Sequence, residues 1–353
     1  MDAQQHAKTD WQESLGVENR VLQDQPPVSV VVCVYNRPQQ VISCLESLAS
    51  QTYPNLEVIV VDDGSTDETP EALHCWIQER SDSRKFLRLR LPKNSGACAA
   101  RNAGTRHARG EWVLFIDSDC TADPKWASKL VEQATYLNVD AVSGLVIDEA
   151  PSNWGTWAAA GATNLTRAFE FGRKLVANNM AIRRDAMLAC PWDDQIRIYG
   201  EEEDLASRLT RKGYRIGFAP DAIVYHHHPM TVRKYLRQAW LQGQGSAYFW
   251  WKHRIFIGRD ILFLVLALVA LPLVVLDWRL GLVPLGFFSL HVAAHIFNER
   301  FLKGKSWLIT LYVLPLVLLY TLVKTASVAW WWLRFRGSLH SSVRGPKQGR
   351  GEI

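Results

Sequence analysis

Two carboxylates stand two residues apart where an apolar run, W-V-L-F-I, ends in Asp117-Ser118-Asp119. Like charges at the tip of a buried strand repel, and a cation between them relieves the repulsion. Hard oxygen ligands suit Mg2+ or Mn2+, ions that commonly hold a diphosphate as well. A solvated strand-end turn uses the same residue types, because Asp and Ser favour turns.

Other polar clusters add to this one. Asp63 follows a second apolar run and stands beside Gly64 and Ser65. Its carboxylate can accept the imide N–H of a uracil, or an equivalent donor of another base; it can equally cap the following helix. The run from Asn94 to Gly104, N-S-G-A-C-A-A-R-N-A-G, opens a helix with small residues, so backbone N–H groups and Arg101 can approach a phosphate. Gly200-Glu201-Glu202-Glu203-Asp204 packs four acids before a helix. Acids there suit the helix dipole, yet such crowding raises at least one pKa, and a carboxylate poised that way can act as a general base. Tyr225-His226-His227-His228-Pro229 follows the strand-like A-I-V-Y. His226 can complete the shell around a metal held by Asp119, or belong to a surface cluster with no role.

The elements that must hold these residues alternate. V-S-V-V-V-C-V-Y (28–35), L-E-V-I-V-V-D-D (56–63), F-L-R-L-R-L (86–91) and W-V-L-F-I-D read as strands, with helices predicted over 38–50, after G-S-T-D-E-T-P, and from about Gly96 to His107. Such alternation with continuous apolar strands predicts an α/β fold: a Rossmann-like, mainly parallel sheet with helices on both faces. Ligands sit at the carboxyl ends of such strands, where the V-Y-N-R turn, Asp62-Asp63-Gly64 and Asp117-Ser118-Asp119 all fall.

The remainder is different material. Residues 1–27 are polar and contain no apolar h-region, so no signal peptide is expected. The six cysteines are scattered without C-x-x-C, which fits reduced thiols of a cytosolic domain. Residues 261–276, 280–297 and 307–323 are free of acidic and basic residues apart from two histidines, and tryptophans flank them. They predict two to three membrane segments within 259–335. Over 229–258, Val232, Tyr235, Leu236, Ala239, Trp240, Gly243, Ala247 and Trp250 recur at helical spacing with Arg233, Lys234 and Arg237 off the stripe. That pattern fits a helix lying in the membrane interface, or an ordinary amphipathic helix packed on the sheet. The formal net charge is +5, but from Asn298 onward it is +7, so the basic tail (336–353) points to a membrane surface and not to nucleic acid. Pro315 and that tail favour a re-entrant hairpin over a third full span.

Together, V-S-V-V-V-C-V-Y-N-R-P, L-E-V-I-V-V-D-D-G-S-T-D, N-S-G-A-C-A-A-R-N-A-G, D-S-D, N-N-M-A-I-R-R and G-E-E-E-D-L with R-K-G-Y-R occupy 28–228 in the order and spacing of family 2 glycosyltransferases. The chain resembles that family. The resemblance implies the GT-A fold, a nucleotide-diphosphate-sugar donor, Mn2+ or Mg2+, and inversion at the anomeric carbon. By it, Cys33, Tyr35, Arg37, Asp63, Arg101, Asp117, Ser118 and Asp119 bind the donor, and Asp117, Asp119 and His226 hold the metal. Asn179 and Asp204 become acceptor-side candidates. The family's base aspartate falls on Glu202, a departure that leaves Glu201 and Glu202 as alternatives. Processive relatives carry Q-x-x-R-W, whereas the nearest text here, Gln238-Ala239-Trp240-Leu241-Gln242, lacks the arginine, so transfer of a single sugar is expected. A lipid-linked or membrane-emerging glycan is the expected acceptor, with the catalytic domain cytoplasmic on a multi-pass membrane region. The alternatives are a polyprenyl-phosphate glycosyl synthase, which needs no strong base, and a non-catalytic membrane scaffold.

Overall fold

The computed structural model describes residues 25–80, 85–148, 153–159, 175–196, 199–227, 231–253, 282–297 and 306–342. Eight strands form one sheet: β1 (Val28–Val34), β2 (Leu56–Asp62), β3 (Lys85–Arg90), β4 (Trp112–Asp117), β5 (Cys120–Ala122), β6 (Ala141–Asp148), β7 (Met180–Arg183) and β8 (Ile216–His226). Their spatial order is β3-β2-β1-β4-β7-β6-β8-β5. β1 pairs in parallel with β2 and β4, β2 with β3, and β6 with β8. β7 runs antiparallel between β4 and β6, and β5 antiparallel along β8. The sheet is therefore mixed, with its parallel half where the apolar runs are longest.

Period-two alternation gives the central strands β1, β2 and β4 two buried faces. Val28, Val30, Val32 and Val34 of β1 join one core with α1 (Pro38–Ala49), α2 (Thr69–Gln78) and α4 (Trp126–Leu137). Val31 and Phe115 point the other way, into the core shared with α3 (Ala97–His107), α6 (Arg184–Ala189) and α7 (Glu201–Arg211). Proline opens α1 and lies in the first turn of α2, where its missing N–H costs nothing. The first turn of α7 holds all four acids and its last turn holds Arg208 and Arg211, so both ends match the helix dipole.

The helices beyond the sheet form their own layer. α5 (Trp154–Ala159), α8 (Val232–His253) and α10 (Trp307–Ser342) share an apolar cluster built on Ala158, Tyr235, Val313, Leu316 and Val317. Part of the stripe on α8 thus meets helix α10: the rings of Tyr235 and Tyr320 lie tilted at 4.4 Å between centroids, while Trp240 stays exposed. α9 (Leu282–Phe297) covers most of the second apolar segment.

α10 overturns the hairpin expected at Pro315. It is one continuous helix of 36 residues with Pro315 inside. Proline there deletes one backbone donor, and the remaining bonds and the packing of Val313, Leu316 and Val317 carry the helix through. Trp307–Phe335 is long and apolar enough to cross a membrane. At about 1.5 Å per residue, α10 exceeds the ~30 Å of a hydrocarbon core. The segment 261–276, the loops 277–279 and 298–305, and the tail beyond 342 lie outside the described residues, as does the N-terminal extension up to residue 24.

Candidate active site

Strand register brings the polar clusters together. Cys33 of β1 sits opposite Asp117 of β4, and Val34 opposite Asp62 of β2. The turn after β1 is tied to the loop after β2. Asn36 adopts φ 52°; its N–H donates to Ser65 Oγ at 3.0 Å and its Oδ1 accepts from the Thr66 N–H at 2.9 Å. Tyr35 is exposed beside this turn. The Arg37 N–H donates to Thr69 Oγ1 at 3.0 Å, which aims its side chain across the strand ends.

Two ion-pair centres result, and the adjacent acids Asp117 and Asp119 belong to different ones. In the first, Arg37 Nη1 donates to Asp119 Oδ2 at 2.5 Å, and His226 Nε2 lies 3.8 Å from the same oxygen. His226 Nδ1 is 3.2 Å from Asp148 Oδ1. Ladder register explains this: His226 pairs with Cys120 on one side and Asp148 on the other. Burial disfavours a charged imidazole, but Asp119 and Asp148 outweigh it and raise the His226 pKa to about 10. In the second centre, Arg101 Nη2 donates to Asp117 Oδ1 at 3.0 Å, and Nη1 stands 3.5 Å from Glu201 Oε1. The guanidinium rests 5.0 Å from the centroid of the Trp192 ring. Burial works against the charge of Arg101, and the two carboxylates outweigh it. Burial raises the Glu201 carboxyl, with Arg101 opposing.

A divalent cation fits the first centre. Ligand atoms of Asp119, Cys120 and His226 converge to within 4.8 Å of one another. A carboxylate oxygen and an imidazole nitrogen suit Mn2+ or Mg2+. The Cys120 sulfur is a softer donor than these hard ions favour. Asp117 lies outside this group and faces Arg101.

Several other expectations change on contact with the geometry. Both oxygens of Asp63 are engaged by backbone: Oδ1 accepts the Ser95 N–H and Oδ2 the Gly96 N–H, each at 2.8 Å. It ties the loop before α3 to the strand edge. Gly64 makes that approach possible, since a Cβ there would lie 2.5 Å from the Lys93 carbonyl carbon. Arg101 is buried between two acids, so its first partner is protein, not phosphate. Ser118 is buried, and burial raises the Cys33 thiol to about 12, leaving both as shape at the strand ends. Asn179 and Asp204, the acceptor-side candidates, are both buried. Asn179 is fully buried, accepting Trp126 Nε1–H and donating to the carbonyls of Leu145 and Ala222. Asp204 is enclosed by Arg208, Lys252 and His253. Glu202 Oε1 accepts the Ala177 N–H at 2.9 Å.

Sequence reasoning missed Asp148 and Trp192. Asp148 carried a readable signal: A-V-S-G-L-V-I-D is an apolar strand ending in an acid, the same pattern as W-V-L-F-I-D. Trp192 carried none, because its role comes from the partner above it.

The mixed α/β sheet, with carboxylates, an imidazole and two guanidinium groups at one strand edge, fits the GT-A fold of glycosyltransferases. The family model for "Glycosyl transferase family 2" matches residues 29–190, and that for "Glycosyl transferase family group 2" matches 112–333. The chain belongs to glycosyltransferase family 2. It is 31% identical over 244 residues to the glycosyltransferase AglE of Haloferax volcanii, spanning 66% of this chain and 77% of that relative. An N-acetylglucosaminyltransferase of Rhizobium meliloti is 32% identical over 63% of this chain and 55% of its own length. Among solved structures, a mannosyltransferase of Pyrobaculum calidifontis in complex with GDP-Man and Mn2+ superposes with a TM-score of 0.59 at 19% identity, covering 88% of each chain, which supports the fold. The chain is thus a glycosyltransferase, and the scaffold alternative falls away.

Proposed function

We propose that the protein transfers a single sugar from a nucleotide-diphosphate-sugar to a hydroxyl of a membrane-associated glycan, with inversion. The observation that carries this reading is the pair of adjacent ion-pair centres at one strand edge, Arg37–Asp119–His226 and Asp117–Arg101–Glu201. Mn2+ or Mg2+, when held by Asp119 and His226, supplies positive charge for the leaving diphosphate. Arg37, partly exposed and hinged on the turn after β1, binds the diphosphate from the other side. Arg101 holds Asp117 and Glu201 in place. Cys33, Tyr35, Asp63 and Ser118 shape the donor cleft around these groups.

Glu202 is the base. Glu201 Oε1 faces Arg101 and its Oε2 is sealed from solvent, which leaves little approach for an acceptor. Glu202 follows it on α7 outside that ion pair. The acceptor oxygen forms the new bond to the anomeric carbon on the face opposite the diphosphate. The old C–O bond breaks with its electron pair going to the diphosphate, and the hydroxyl proton passes to Glu202. A phosphate acceptor would need no such carboxylate.

The membrane part of the reading rests on α10 and the +7 balance beyond Asn298. With nucleotide-sugar made inside the cell, the catalytic domain faces the cytoplasm, and the apolar segments form a multi-pass anchor beside a lipid-linked acceptor. The test is release of nucleoside diphosphate by purified full-length protein given a donor panel and Mn2+, with lipid-linked or free glycan added. Release that rises only with a lipid-linked acceptor supports the proposal; equal stimulation by free sugars would remove its acceptor half.

A further inference from the structure

The densest charged cluster outside the site lies where α7 meets the last turn of α8. The Asp204 side chain is 1% exposed, and its Oδ2 accepts from Arg208 Nε at 2.7 Å. Its Oδ1 receives Lys252 Nζ at 2.6 Å and His253 Nε2 at 2.9 Å. Lys252 Nζ also reaches Asp193 Oδ2 at 2.6 Å, an oxygen that takes the Tyr248 hydroxyl at 3.2 Å. Asp193 adjoins Trp192, the ring beneath Arg101, and Asp194 accepts from Asn102 Nδ2 at 2.6 Å. The end of α8 therefore grips both the helix bearing the acids and the loop that supports Arg101.

About two turns earlier, α8 touches the residues just before Glu201. Tyr199 has φ 57° and Gly200 φ 92°. A Cβ at Gly245 would stand 2.3 Å from the Tyr199 carbonyl oxygen, so only glycine allows this seat. Its other face is fixed to α10. A Cβ at Gly243 would meet the Lys324 carbonyl oxygen at 2.5 Å, Ser327 Oγ donates to the Trp240 carbonyl, and the Tyr320 hydroxyl donates to Gln242 Oε1 at 2.6 Å.

We propose that α8 is a strut between the apolar helix α10 and the active site, in which Lys252, His253 and Gly245 are positioning residues that set the first turn of α7, with Glu201 against Arg101 and Glu202 beside it. Asp204 is two residues beyond Glu202 on the same helix, so pinning it fixes the rotation of α7's first turn. An uncompensated Asp204 carboxylate would draw that turn toward water. The seat at Gly245 fixes the same turn from below. Glycosyl transfer depends on base placement to within about 1 Å, so the docking of α10 on α8 becomes a condition for turnover. This rests on the reading that the acids of α7 serve the transfer.

The test uses the full-length chain in nanodiscs. Lys252→Met should raise amide exchange at 199–205 by roughly tenfold while β1, β2 and β4 keep their protection. It should lower kcat by about ten- to a hundredfold and leave donor KM within about threefold. Lys252→Arg should recover most of both. Gly245→Ala, which pushes the turn without removing a charge, should give the same pattern. Unchanged exchange at 199–205 in both variants overturns the proposal, and so does a uniform loss of protection across the sheet, which would mark a merely structural cluster. Exchange is read without turnover, so a failure of the transfer reading would leave this result standing on its own.

Discussion

Arg101 and Asp117 are 16 residues apart in the chain and joined at 3.0 Å across the ends of α3 and β4. The same guanidinium meets Glu201 at 3.5 Å, so one buried cation serves acids from two elements. Removing it leaves two carboxylates uncompensated. Arg101→Met should cost about 3–5 kcal/mol of stability by urea denaturation and abolish transfer, while Arg101→Lys should retain part of the stability because a point charge cannot span both partners. A methionine variant as stable as wild type would show that the pairing has no structural weight.

The first centre should bind Mn2+ through Asp119 and His226. Free Mn2+ measured by electron paramagnetic resonance should show binding lost in Asp119→Asn. Asp148→Asn, which frees the imidazole's other nitrogen from its carboxylate, should weaken binding by about 10–100-fold. EDTA should stop transfer and added Mn2+ restore it. Tight Mn2+ binding by Asp119→Asn would displace the site from these residues.

The two glutamates should separate cleanly. Glu202→Gln should keep donor affinity and slow single-turnover transfer by roughly 10²–10⁴-fold. Glu201→Gln keeps the contact with Arg101 but weakens it, and a loss of about tenfold is expected. The reverse ranking would make Glu201 the base, and near-normal rates in both would indicate a phosphate acceptor.

Asp193 gives a pH signature. Burial would raise its carboxyl, but the hydrogen bonds from Lys252 and the Gln195 N–H outweigh that and hold it below the usual range. A depressed folded pKa adds stability above the unfolded value of ~3.9, and that stability is lost as pH falls through the folded pKa. Thermal midpoints of wild type and Asp193→Asn should therefore differ at neutral pH and converge toward pH 3. A gap that stays constant down to that pH would contradict the ion pair with Lys252.

α10 exposes Leu308, Leu311, Leu319, Leu322 and Leu333. If that face meets lipid, Leu322→Asp should cost about 2.5–3.5 kcal/mol of insertion. The measurement is the fraction of chain retained in membranes after an alkaline carbonate wash. Full retention would place Leu322 against water or protein.

Local pattern was enough for the parallel half of the sheet, β1 to β4. Val28–Val34, Leu56–Asp62 and Trp112–Asp117 are apolar runs that can only be buried strands, and in an α/β order their carboxyl ends must share an edge. That alone gathered Arg37, Asp63, Asp117 and Asp119 into one neighbourhood, and the motifs named the family. Partners within the neighbourhood were decided by tertiary structure. Asp117 and Asp119 look like a pair in the sequence, yet the turn at Ser118 sends one to Arg101 and the other to Arg37 and His226. Asn179 and Asp204 have the residue types of a binding surface, but β7 lies between two strands and α7 lies on α8, so both side chains spend their hydrogen bonds inside. Pro315 reads as a helix breaker because its missing donor is a local fact, whereas packing of Val313, Leu316 and Val317 on α5 and α8 is not. Hydrophobic periodicity is set within a few residues and survives in the sequence; the identity of an ion-pair partner depends on strand order and helix seating, which no short window contains.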